Sequence, residues 1–362
     1  MKKILKIMVI IIIIIALAGV VFIHFYQPFG DVYTFIKDDS YFQQTDLYDG
    51  TFHGDLEINV MSGKESQFAG EQLIPQDTVP VKKLDEILPA NEDQLKWIWF
   101  GHSSSMLQMQ GMNILIDPVF SEYSSPVSGF GPQRFSEVPI DLDDLPDIDM
   151  LVISHDHYDH LDYQTIKEID DKVKTYCVPL GVEKHLRKWN VAASKIHTLA
   201  WWQDVTVNGL RVTAVPGRHY TGRLPWTKNT TLWCGFVFEN EYYQTYYTGD
   251  TGYGDHFKEI HNRFGAMDLV ILENGQYDNA WEAIHLLPEQ GIQAIKDLEA
   301  RWFVPVHWGT FSICNHAWDD PVQQITLLAQ EQNLNVATPM IGEIVDYRSI
   351  ENYQDHWWEN IE

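Results

Sequence analysis

The nine residues SHDHYDHLD, Ser154 to Asp162, hold three histidines and three aspartates and follow directly on the apolar run DMLVI of residues 149–153. An apolar run of that length reads as a buried strand, so the nine residues form the loop at its mouth. His155 and His157 stand at i and i+2, and in an extended loop both rings turn to one side. Asp159 and His160 follow after a bend. That spread offers donors to two cations rather than one. Imidazole and carboxylate without thiolate suit Zn²⁺, Mn²⁺ or Fe²⁺, with Zn²⁺ the default for such donors. Cys177, Cys234 and Cys314 are far apart and form no CxxC pair, so they make neither a thiolate cage nor a redox motif.

Two cations need further donors, expected at the ends of later strands. VPGRHYTG places His219 just after a strand ending at Val215, YYTGDTGYG places Asp250 between glycines, and VPVHWGTF places His307 at a strand end. Singly, each reads more readily as structural. Their joint presence in this order after HxHxDH favours ligation.

Working outward, the chain from Lys96 onward is a series of short strand patterns: KWIWF, NILID, DMLVIS, KTYCV, VTVNGLRVTAV, LWCGFVF, YYQTYYTG, DLVIL and RWFVPV. Asn208-Gly209 marks a type I′ hairpin within one of them. Helical patterns fall at Tyr163–Asp170, Gly181–Trp189, Pro288–Glu299 and Pro321–Gln332. The expectation is an α+β domain, residues 96–349, in which sheets pack on each other with helices outside.

Ile7 to Ile23 is an apolar stretch of 17 residues preceded by Lys2, Lys3 and Lys6. At the helical rise it spans about 25 Å, near the lower limit for a bilayer. The reading is a cytoplasmic tail, 1–6, and a transmembrane anchor, 7–25, that places the rest outside the cytoplasm at the cell membrane. The alternative is a cleaved signal that leaves a secreted protein. Residues 26–95, rich in Asp, Gln and Pro, read as a linker with an irregular extension, and 350–362 as a C-terminal tail. The formal charge is −26, from 25 basic and 51 acidic residues. A field of that sign repels nucleic acid, and no basic track offsets it, so no nucleic-acid partner is expected. An anionic substrate needs local positive charge.

The sequence resembles the metallo-β-lactamase superfamily, and within it the N-acyl-phosphatidylethanolamine-hydrolysing phospholipase D group. The resemblance rests on GHSSSMLQMQGMNILIDPVFS, GPQRF, LPDIDMLVISHDHYDHLDY, CVPLG, DTGYG, NRFGAMDL and VHWGTF, between Trp97 and about Gly342. It implies a four-layer αβ/βα sandwich behind the N-terminal transmembrane helix. It also implies one zinc on His155, His157 and His219, another on Asp159, His160 and His307, and Asp250 bridging both. A water shared by two such ions loses its proton near neutral pH and attacks. Asp159, Asp250 and His285 are then the candidate catalytic residues, Tyr158 and His285 the candidates for binding substrate, and His102 a support for the metal loop. The implied reaction is phospholipid phosphodiester hydrolysis by a membrane-anchored enzyme, with a homodimer suggested. The alternative is a lactonase or other acyl hydrolase acting on a soluble sugar-phosphate-like substrate. The sequence departs from the group in its anchor, in ENGQYDNAWEAIH, and in a short loop between His219 and Leu232.

Overall fold

The computed structural model describes residues 2–32, 45–54, 62–70 and 72–362. Residues 33–44, 55–61 and 71 of the expected linker lie outside the described residues, as does Met1. The fold is mixed α/β, built on two sheets. The first contains β1 (Leu95–Gly101), β2 (Ser104–Met109), β3 (Met112–Ile116), β4 (Met150–Val152), β5 (Tyr176–Pro179) and β6 (Ile196–Leu199). The second contains β7 (Asp204–Val207), β8 (Leu210–Val215), β9 (Gly235–Glu239), β10 (Gln244–Tyr247), β11 (Leu269–Glu273) and β12 (Trp302–Val306). A last strand, β13 (Ile344–Asp346), returns to the first sheet. The strand orders are β13-β1-β2-β3-β4-β5-β6 and β12-β11-β10-β9-β8-β7.

Alternation along each strand builds three apolar layers. In β1, Trp97 and Trp99 join the core between the sheets, together with Leu107, Ile114, Phe236, Phe238, Ile271 and Val304. Ile98 and Phe100 of the same strand face outward, with Ile166 and Leu186. Both faces of β1 are therefore buried, which is why it reads as a continuous apolar run. The helices are α1 (Lys2–Phe25), α2 (Tyr163–Ile169), α3 (Glu183–Lys188), α4 (His256–Phe264), α5 (Pro288–Asp297) and α6 (Asp320–Glu331). α2 and α3 cover the first sheet. α4, α5 and α6 cover the second through Phe257, Ile260, Ile292, Ile295 and Ile325. The layers run helix, sheet, sheet, helix.

The β7–β8 hairpin turns at Asn208 and Gly209, with φ of 48° and 86°, as a type I′ turn requires. β2, β6, β13 and α4 are elements the sequence patterns did not announce. β2 reads SSMLQM and is buried throughout, so serines occupy inward positions and the alternation is lost. α4 has only Phe257 and Ile260 fully buried among its apolar positions, too few to display a helical period.

α1 contains the stretch Ile4–Phe25, 22 residues with an 18-residue window of mean hydropathy 3.2, long and apolar enough to cross a membrane and not buried by the other described residues. Of the segment from 26 to 94, the described parts form no regular strand, yet Phe29, Tyr48, Phe52, Val79 and Ile87 are buried against the domain. Residues 350–362, expected as a tail, are held in the fold. Trp357 and Trp358 are buried, and their ring centres lie 5.5 and 6.1 Å from that of Trp308, which itself sits 5.0 Å from Trp99. Two indoles bury more apolar area than a short exposed end can give up to water.

Candidate metal centre

The expected donors meet at the carboxyl ends of the strands, along one edge of the sandwich. β4 feeds the loop Ser154–Asp162, β8 leads to His219, β10 to Asp250 and β12 to His307. The three aspartates of the loop divide their work. Asp162 caps α2, accepting from the amides of Gln164 and Thr165. Asp156 accepts from the amide of Gly222 at 2.8 Å and faces His185 Nε2 at 3.2 Å. Asp159 turns to the site, with Oδ2 3.6 Å from His160 Nε2 and 3.4 Å from His307 Nε2.

Ring nitrogens of His155, His157 and His219 lie within 4.8 Å of one another, and so do ring nitrogens of His102, His160 and His307 and a carboxylate oxygen of Asp159. Asp250 stands between the two groups. Its Oδ2 is 3.2 Å from Nε2 of both His160 and His307, and 3.8 Å from Nε2 of both His155 and His219. Asp250 thus links the two groups, which between them contain the other six expected ligands. Asp250 Oδ1 is buried with no hydrogen-bond partner among the described residues, which is costly unless something else engages it.

The outward ring nitrogens explain why the inward ones are free to ligate. His219 Nδ1 donates to Ile284 O at 3.1 Å, His307 Nδ1 to Gly275 O at 3.2 Å, and His160 Nδ1 to Asp117 Oδ2 at 2.7 Å. Each bond fixes the tautomer with its Nε2 lone pair facing the cluster. His157 is the exception and presents Nδ1, 2.9 Å from His155 Nε2 and 3.2 Å from His219 Nε2. His307 is held at φ 73°, a strained value for a non-glycine residue. Gly275 makes room for it, since a Cβ there would fall 2.1 Å from His307 O.

Charge points the same way. Burial, with the neighbouring imidazoles, pushes His155 and His219 far below the ordinary histidine value. Burial would raise the Asp159 and Asp250 carboxyls, but His160 above all, with His102 and His307 at Asp159 and His307 at Asp250, holds both well below the usual carboxylate range. Burial opposes a charge on His307 as well, yet Asp250 and Asp159 push it up to about 10. Among protein atoms alone, two buried carboxylates draw protons onto imidazoles. Divalent cations would supply that positive charge directly, so the donor set fits them.

His102 is buried, and its Nε2 lies 2.9 Å from Asp159 Oδ2. Two carboxylates that sequence reasoning missed complete the site. Asp117, after β3, accepts from Ser154 N, Ser154 Oγ, Tyr247 Oη and His160 Nδ1. Glu273, at the end of β11, is fully buried and bonded to His285 Nδ1 at 2.6 Å and to the Leu286 amide at 3.1 Å. Burial raises the Glu273 carboxyl, partly offset by His285. The available signal was position alone: NILID and LVILE each end a strand on an acid.

The cluster opens into a cavity of about 470 Å³ whose walls include Tyr158, Tyr220, Trp281, Ile284, His285 and Ile313. A ring nitrogen of His285 lies within 4.8 Å of donors on His219 and Asp250. Tyr158 lines the cavity, and its hydroxyl donates to Arg223 O at 2.7 Å.

Residues 112–308 match the family described as a beta-lactamase superfamily domain. The chain belongs to that superfamily. An uncharacterized protein of Mycobacterium tuberculosis is 42% identical over 68% of this chain and 68% of its own. An N-acyl-phosphatidylethanolamine-hydrolyzing phospholipase D of Caenorhabditis elegans is 33% identical over 64% of this chain and 70% of its own. Among solved structures, an isothiocyanate hydrolase from Delia radicum gut bacteria superposes with a TM-score of 0.54 at 21% identity, covering 69% of this chain and 98% of that one; at that identity the likeness concerns the fold. This superfamily member thus stands among the metal-dependent hydrolases of the metallo-β-lactamase fold, with a His/Asp cluster able to hold metal where β4, β8, β10 and β12 end.

Proposed function

We propose that the protein is a membrane-anchored, dinuclear zinc phosphodiesterase of the phospholipase D type, acting on N-acyl-phosphatidylethanolamine-like phospholipids. The observation that carries the reading is the position of Asp250 Oδ2 between two groups of buried donors at the floor of a cavity walled by Trp281, Ile284 and Ile313. Sequence similarity to the nematode phospholipase D supports the substrate class. His155, His157 and His219 would hold one ion, Asp159, His160 and His307 the other, with Asp250 shared. When bound, the pair supplies an acidified water and positive charge against a phosphoryl oxygen.

The chain's own groups do the rest. The Glu273 carboxylate fixes the proton of His285 on Nδ1, which leaves Nε2 free to take up the proton that the attacking water loses and pass it to the leaving headgroup oxygen. Ile284 and Ile313, with the rings of Tyr158, Tyr220 and Trp281, exclude water and receive the apolar parts of the lipid. α1 holds the domain at the bilayer as a single pass, with the cavity outside the cytoplasm, and so raises the effective concentration of a substrate that resides there.

The test uses the purified full chain, zinc-loaded in detergent, with vesicles containing N-acyl-phosphatidylethanolamine. Mass spectrometry should find phosphatidic acid and the N-acylethanolamine, and neither from the His155→Ala, His157→Ala double variant. Equal phosphatidic acid from both proteins, or turnover of a lactone alone, would remove the phosphodiesterase reading.

A further inference from the structure

The segment that leaves α1 is bonded into the catalytic fold, and it reaches the donor loop. Gln27 O accepts from Trp189 Nε1 at 2.8 Å, Gly30 O from Lys188 Nζ at 2.7 Å, and Pro28 O from Arg223 Nη2 at 2.8 Å. Arg223 is 4% exposed. Its other amine, Nη1, donates to Asp156 O at 2.7 Å and to Leu161 O at 2.9 Å. Those carbonyls bracket the stretch that contains His157, Asp159 and His160. The guanidinium also stacks over the Tyr158 ring, 4.0 Å from its centre. One planar fork therefore holds both ends of the loop and the exit of the apolar helix, a geometry that a lysine ammonium cannot reproduce.

A second connection runs beside it. The amide of Asp31 donates to His185 Nδ1 at 2.9 Å, so the His185 proton sits on Nε2, 3.2 Å from Asp156 Oδ2. The close approach depends on Gly30. It adopts φ 71°, ψ −163°, a region essentially reserved for glycine. A Cβ there would fall 2.2 Å from His185 Nδ1.

We propose that the exit segment, residues 27–31, and the donor loop, Asp156–Leu161, form one unit coupled through Arg223 and His185. In this unit Arg223 is a positioning residue: the order of the loop, and hence its hold on metal, depends on the docked segment. Detaching the segment from the domain loosens the loop from outside the cavity. The metal consequence rests on the proposed metal centre, whereas loop order is measured on metal-free protein, so failure of one is distinguishable from failure of the other.

The experiment compares the full chain in detergent with Gly30→Ala, Arg223→Lys and the double variant. Hydrogen exchange read by mass spectrometry follows the peptide spanning 155–162 without metal. Cobalt-loaded samples give the visible absorption of the ligand field and the rate of metal loss to a chelator. Gly30→Ala, which alters no core side chain, should speed loop exchange and cobalt loss about tenfold, as expected when support around metal ligands is lost. Arg223→Lys should do the same, and the double variant should be no worse than Arg223→Lys alone, because the clash of an alanine at position 30 with His185 displaces the same segment whose Pro28 carbonyl Arg223 holds. Wild-type loop exchange in the Gly30→Ala chain overturns the proposal, and so do fully additive effects.

Discussion

Asp117 makes the sharpest demand on the proposed centre, because it touches no substrate and lies behind the donors. Its Oδ2 accepts from Ser154 Oγ, Tyr247 Oη and His160 Nδ1, and its Oδ1 accepts from the Ser154 amide. Asp117→Asn preserves shape but replaces one acceptor oxygen with a donor. If Nδ2 takes the Oδ2 position, three donors face a fourth. His160 can then pair only by accepting at Nδ1, which moves its proton to Nε2. That nitrogen lies 3.2 Å from Asp250 Oδ2 and 3.3 Å from His307 Nε2, so its lone pair is withdrawn from the cluster. Losing an outer partner of this kind weakens metal binding by about 10- to 100-fold, or about 1.4 to 2.7 kcal/mol. Hydrogen bonds to a charged acceptor contribute about 1.5–3 kcal/mol each. The hydroxyls of Ser154 and Tyr247 can still rotate, so the net loss of metal-free stability is about 3 kcal/mol. Zinc competition against a chromophoric chelator, with metal content from mass spectrometry, reads the first quantity; denaturant unfolding of the metal-free protein reads the second. Two ions bound with wild-type affinity in Asp117→Asn would refute the argument that this carboxylate sets the His160 tautomer.

Glu273→Gln should lower kcat about 10²- to 10⁴-fold through loss of His285 proton transfer, with the metal content unchanged; unchanged kcat would strip His285 of its role. Trp358 is fully buried beside Trp308, so Trp358→Ala should cost about 3–5 kcal/mol of stability in chemical denaturation, and a loss below 1 kcal/mol would mean that the C-terminal residues do not support the core. Burial, with Arg218 nearby, pushes His256 down to about 3. The unfolded chain therefore takes up a proton near the ordinary histidine value while the folded chain does not, so stability falls as pH drops from 6.5 toward 3. Between pH 7 and 5 this amounts to about 2 kcal/mol. His256→Gln should flatten that part of the stability profile, and an identical slope in both proteins would show that His256 stays neutral on unfolding or titrates equally in both states.

Much of the site was legible because its donors obey local rules. HxHxDH is compact, and His219, Asp250 and His307 each follow an apolar strand, where loops of a layered α/β fold converge. Most strands were legible for the same reason: burial on both faces, as in β1 and β11, leaves an apolar run in the sequence. β2 escaped because its serines are buried like its apolar residues, Ser104 bonding Asp117 O at 2.9 Å, and no period of two survives. The outer acids escaped because an Asp or Glu at a strand end has the same local sequence whether it faces solvent or an imidazole.

Taken by itself, the sequence determined the candidate donor residues, their order along the chain, the α+β class and the apolar helix at the start. These depend on composition and on periods of two or a few residues, which are local. Only the tertiary structure decided that Asp250 stands between two donor groups, that Asp117 and Glu273 orient His160 and His285, and that Trp357 and Trp358 belong to the core. It alone joined Pro28 to the donor loop through Arg223. Each of these is a contact between residues far apart in the chain, fixed by sheet order and layer packing, and such contacts leave no periodic trace in the sequence.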